Sequence, residues 1–203
     1  MREAKDPVAS VGYMVEWLNA LLEHDPNIRI LGEMKPNEPM DQAYSPTVGH
    51  FLSLSYKTID PNRVGALIES AHSILAGLDP SDDMALALWH KKLWSVHLND
   101  QNGLKYDQDR SFGYVNLRRA FNQVDVLDQN GFGLEGEMVG LDVKALRTQS
   151  DSNATRHLAN SIEMFNRLLK ISRGLDRTKI KRFRTQRDYE ALENYILKQL
   201  MNV

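Results

Sequence analysis

Cysteine is absent from the chain, which excludes disulfides and thiolate metal sites and leaves oxygen and imidazole as the available metal ligands. No apolar run approaches the roughly 18 residues needed to cross a bilayer. The opening stretch, MREAKDPVAS, lacks the apolar core of a signal peptide. An excess of charge of one sign is missing too. The 25 Lys+Arg against 27 Asp+Glu give a formal net charge of −2, which argues against a polyanion-binding protein. These absences predict a cytoplasmic protein with neither a membrane nor a nucleic-acid partner. What is present, 203 residues at 42% hydrophobic content, suffices for one substantial core.

Periodicity predicts alternating elements. Val8, Val11, Val15, Leu18 and Leu22 recur at helical spacing over 8–24, with Pro7 suited to the first turn and Asp6 to the cap. Strands are predicted at 28–34, 64–70, 94–99 and 137–144. Helices are predicted at 47–59, 79–93, 116–131, 153–175 and 189–201. KPNEPM, at 35–40, is irregular because Pro36 and Pro39 lack amide donors. Asp79, Asp82 and Asp83 read as N-terminal helix charges. Met34, Met40, Met84 and Met138 read as fillers of the core. The basic run RGLDRTKIKRFRTQR reads as a solvated or subunit-contacting arm. Strand–helix alternation without hairpin signals argues for a parallel α/β sheet.

The strands end in polar residues. Glu33 and Lys35, then Glu69 and His72, then His97, then Asp142 each follow or close a strand, and Asp107 and Asp109 sit on the loop after the third. Taken singly, such a carboxylate is explained by solvation or helix capping, and a histidine by a structural hydrogen bond. In a β/α barrel, however, strand ends converge. Five carboxylates in one pocket would repel each other and bind protons unless divalent cations were present. The ligand count favours two ions sharing a carboxylate. Oxygen-rich ligation suits Mg or Mn, and imidazole shifts the preference toward Mn, Co or Zn.

EMKPNEP with PTVGH, then ESAHSILAGL, NDQNGLKYDQDRSFG and LDVKALRT resemble, in order and spacing, the second half of xylose isomerase, from about Arg2 to residue 175. The resemblance implies a TIM (β/α)8 barrel, a sugar substrate and two divalent cations (Mn, Mg or Co). It implies an aldose–ketose isomerisation by metal-assisted 1,2-hydride shift. Residue by residue, it implies that Glu33 and Asp142 are ligands of the first metal, that Glu69 bridges both, and that His72, Asp107 and Asp109 bind the second. Lys35 matches the lysine that contacts the substrate carbonyl, Glu38 a glutamate near the second site, and Asp109 the carboxylate that manages the hydroxyl proton. His97 stands where xylose isomerases carry Asp; a histidine there is reminiscent of the rhamnose isomerase branch.

The resemblance covers about half a barrel. The expectation is therefore a partial TIM barrel over 1–152 and C-terminal helices over 153–203 as a packing or oligomerisation arm. The family's ring-opening His–Asp pair falls in the half not represented. A homo-oligomer, or association with a missing N-terminal half, is expected. A non-catalytic metal- or sugar-binding half-barrel is the alternative. A zinc phosphodiesterase of the same superfamily is a third reading, which KPNEP, KYDQD and the balanced charge oppose.

Overall fold

Asp6 caps the first helix, α1 (Pro7–His24), as the sequence predicts: its carboxylate accepts from the amides of Val8 and Ala9 at 3.0 and 3.1 Å in the computed structural model, which describes residues 6–38 and 43–201. The strands are β1 (Ile30–Glu33), β2 (Val64–Glu69), β3 (Leu93–Leu98) and β4 (Met138–Leu141). Between them lie α2 (Val48–Ser55), α3 (Ser70–Leu75), α4 (Pro80–Trp89) and α5 (Leu117–Gln129). After β4 come α6 (Arg156–Gly174), α7 (Arg177–Gln186) and α8 (Tyr189–Met201).

The strands form one parallel sheet in the order β1-β2-β3-β4. Right-handed crossovers that always step in the same direction put every connecting helix on one face. On that face Ile30, Val64, Ala66, Ile68, Val96 and Leu98 are buried. Gly32 lets α2 settle onto the sheet, since a Cβ there would lie 2.1 Å from the Phe51 ring. The opposite face carries Leu31 beside Gly65 and, in register, Glu33, Leu67, Ser95 and Met138; Leu31 and Met138 are exposed. An α/β sheet of this topology, flanked by helices on one side, is compatible with a partial barrel.

Local bonds fix the frame. The Arg63 guanidinium donates to the carbonyls of Leu22, Asp25 and Ile28 at 3.0, 2.9 and 3.3 Å, tying the end of α1 to the start of β2. The buried Lys92 ammonium donates to the carbonyls of Val64 (2.7 Å) and Pro61, and burial lowers its pKa. Past residue 152, α6 packs on α5 and α8 on α6. Leu168, Leu175, Ile180, Ile196 and Leu200 join the same apolar cluster as the strands.

Several elements depart from the sequence expectations. Residues 70–75 form the helix α3, where the sequence predicts a strand to 70 and no helix after it. The basic arm contains α7, because Asp176 caps it at the Lys179 amide (2.9 Å) and Ile180 is buried. Arg177 there is anchored to Asp125 at 2.7 Å rather than free in solvent. Asp79 and Asp82 behave as helix-start residues, but Asp83 is buried and accepts from Ser73 Oγ at 2.6 Å; burial raises its pKa. Met34 and Met84 are core residues, whereas Met138 is 61% exposed on the open face, and Met40 and Pro39 lie outside the described residues. Val8 is exposed because only the C-terminal half of α1, with Leu18 and Leu22, enters the core.

Candidate metal centre at the carboxyl ends of the strands

β1 ends at Glu33, β2 at Glu69, and Asp142 directly follows β4. Glu69 pairs with His97 in the β2–β3 register, so both project from the open face. Glu33, Glu69, His97 and Asp142 each bring a ligand atom to within 4.8 Å of the others. On a flat sheet β1 and β4 would stand about 14 Å apart, three strand spacings. The sheet is therefore curled and its open face concave. At the other end of that face the Arg29 guanidinium stacks 3.8 Å from the Trp94 ring centroid, reaching from beside β1 to β3.

A second group consists of Glu69, His72 and Asp107, with ligand atoms again within 4.8 Å. Glu69 belongs to both groups. The short helix α3 explains His72: one helical turn after Glu69, its Nε2 lies 3.3 Å from Glu69 Oε2 and 3.4 Å from Asp107 Oδ2. Lys35 Nζ lies 2.5 Å from Asp107 Oδ2, and the Glu38 carboxylate accepts from the Asp107 amide at 3.0 Å. Asp109, expected as a further ligand of the second ion, falls outside both groups. One oxygen accepts from Asn99 at 3.0 Å and the other pairs with the Lys144 ammonium.

The loop carrying Asp107 and Asp109 is wound on two buried side chains. The Gln101 amide donates to the carbonyls of Gly103, Lys105 and Tyr106 and accepts from the Gln108 amide. Asp100 accepts from the amides of Gln101, Val115 and Asn116 and from Arg119 at 3.1 Å, closing the loop at its base. Glu38 and Asp109 hold positive φ of 54° and 44°, a left-handed conformation uncommon outside glycine that costs roughly 1–3 kcal/mol unless its surroundings impose it.

Charges this close cannot all be ionised on their own. Two unit charges 4–5 Å apart repel by roughly 3–4 kcal/mol at an effective dielectric near 20. Burial, followed by the nearby Glu33 carboxyl and the Asp107 and Asp109 charges, pushes Glu69 up to about 10. Burial also raises Asp109, against the Lys144 ammonium. For Asp107 burial is outweighed by His72 and Lys35, which hold it well below the ordinary carboxylate range. Lys35 loses some basicity to burial but is raised overall by Asp107.

The donor set fits divalent cations. Three buried polar atoms, His72 Nδ1, His97 Nδ1 and Asp107 Oδ1, have no hydrogen-bond partner. Each such atom costs roughly 1–3 kcal/mol unless something else satisfies it. Two groups of oxygen and imidazole donors sharing one carboxylate suit a pair of hard-to-borderline ions.

Sequence reading missed Asn99, the hub of the site. Its Oδ1 accepts from the Ala71 amide at 2.7 Å, which turns Nδ2 toward Glu69 Oε1 (2.8 Å), Asp109 Oδ1 and the Asp142 carbonyl (both 3.0 Å). It also missed Lys144 and Gln101. The one available signal was position: Asn99 lies two residues past His97, immediately beyond β3. Compared with models of known protein families, the chain matches none. Among the described residues, no helix is long and apolar enough to cross a membrane.

Proposed function

We propose that this chain is the metal-binding half of a divalent-metal-dependent aldose–ketose sugar isomerase on a TIM-barrel scaffold. The observation that carries the reading is the pair of donor groups sharing Glu69, with the Lys35 ammonium beside the second. It agrees with the resemblance to xylose isomerase, which assigns these same residues.

Glu33, Glu69, His97 and Asp142 would hold the first of two cations (Mn, Mg or Co), and Glu69, His72 and Asp107 the second. Bound there, the cations supply Lewis-acid polarisation of the substrate oxygens. Lys35 places a fixed positive charge beside the sugar's carbonyl oxygen. Glu38 steadies the loop at Asp107 and, as the resemblance implies, would contribute to substrate binding. Asp109 takes the proton of the hydroxyl as hydride moves from that carbon to the carbonyl carbon, and returns it to the former carbonyl oxygen; its raised pKa suits an acceptor. That role requires the Lys144–Asp109 pair to open.

The exposed Leu31 and Met138 on the concave face support assembly with a covering partner, either a second copy or an N-terminal half. The same openness favours the second reading, a half-barrel that binds metal or sugar without turning it over. The reading places the protein in the cytoplasm.

Calorimetry with Mn, followed by a coupled assay for ketose formation with Mn or Co, tests the proposal. Two Mn sites and turnover support it. Two sites without turnover favour the binding-only half-barrel. Absence of metal binding overturns both, and zinc-dependent cleavage of abasic DNA would redirect the reading to a phosphodiesterase.

A further inference from the structure

Next to the metal centre lies a cavity of about 710 Å³, walled by the loops after β3 and β4 and the first turns of α6. Arg110, Lys144, Arg147 and Arg156 line it, and the one carboxylate among its lining residues, Asp107, is paired with Lys35. Lys144 is engaged with Asp109. The guanidinium groups of Arg110, Arg147 and Arg156 have no carboxylate partner among the described residues. His157 also lines the cavity, and its buried Nδ1 has no hydrogen-bond partner. A chain with net charge −2 thus collects unpaired guanidinium groups on one concave surface.

Guanidinium forks match the oxygens of carboxylate and phosphate groups, and clustered they repel one another unless an anion sits between them. We propose that this cavity binds an oxyanion on the substrate, a phosphate ester or a carboxylate, so that the sugar handled here is an anionic one. The inference rests on the sugar-isomerase reading. Asp107 belongs to both the cavity wall and the second donor group. A sugar anchored by its charged end therefore reaches the metal centre with its other carbons.

The full chain in EDTA is titrated with inorganic phosphate, acetate and glucose while the arginine Nε–Hε resonances are followed by NMR. Saturable shifts of Arg110, Arg147 and Arg156 are expected with an oxyanion and not with glucose. Saturation by phosphate but not acetate assigns a phosphate ester, the reverse assigns a carboxylate, and saturation by both supports a general oxyanion site. The double substitution Arg147→Gln/Arg156→Gln should weaken the binding at least about tenfold, with its fold checked by circular dichroism. Equal responses to all three probes, no saturable shift, or binding that survives the double substitution overturns the proposal. A chain that binds phosphate here but no Mn overturns the metal reading alone, and one that binds Mn but no oxyanion overturns this inference alone.

Discussion

Gly140 stands opposite His97 in the β3–β4 register, and a Cβ at position 140 would lie 2.9 Å from the imidazole Cδ2. Gly140→Ala therefore shifts the ring from its place beside Glu33, whose Oε1 is 3.5 Å from His97 Nδ1. Misplacing a ligand in this way costs about 10–100-fold in metal affinity. Calorimetry should show one Mn site weakened and the other kept. Two unaffected sites would remove His97 from the ligand set.

Glu69 makes the metal-free protein sensitive to alkali. The unfolded chain loses this proton near 4.5, whereas the fold retains it to about 10. Folding thus takes up a proton across that window, and stability falls as pH rises through it. Thermal melts in EDTA should drop between about pH 6 and 9 on this account. Glu69→Gln should flatten the profile and raise the melting temperature at pH 8 by at least about 2–4 °C, the shift expected for 1 kcal/mol in a chain of this size. The same variant should weaken both Mn sites. Loss of one site alone would contradict the sharing of Glu69.

Asn99 is 1% exposed and satisfies oxygens from three different segments. Asn99→Ala leaves them unpaired, at a cost of roughly 1–3 kcal/mol measured by urea unfolding. Asn99→Asp adds a carboxylate to the cluster and should be the more destabilising change in EDTA, with Mn restoring part of the loss. Equal stability of the two variants would rule out the electrostatic part of this account.

Lys35→Met should keep two Mn sites and abolish isomerisation, since Lys35 contacts Asp107 but belongs to neither donor group. Retained ketose formation would take the substrate-polarising role from it.

The sequence showed best what local rules decide. Asp6 caps the helix it was expected to cap, Asp79 stands at the helix start where its charge was expected, and four strands stand within three residues of their predicted bounds, because caps and periodicity act over a few residues. Glu33, Glu69, His72, His97, Asp107 and Asp142 were named from strand ends and a resemblance, and the fold gathers all six. What escaped depended on distant partners. Asn99 carries no charge to draw notice, and its role exists only once Ala71 turns its amide. Lys144 removes Asp109 from the donor groups by an ion pair that spacing does not reveal. Helix α7 looked like a charged arm because its burial rests on one residue, Ile180.

Glu33 and Asp142 stand at opposite margins of the sheet, yet their ligand atoms meet in one group. An ion gripped by both would work as a clasp. It would fasten the first strand to the last and fix how tightly the sheet can roll, so that on the proposed function the contact that arms the chemistry would also set the width of the hollow a substrate enters.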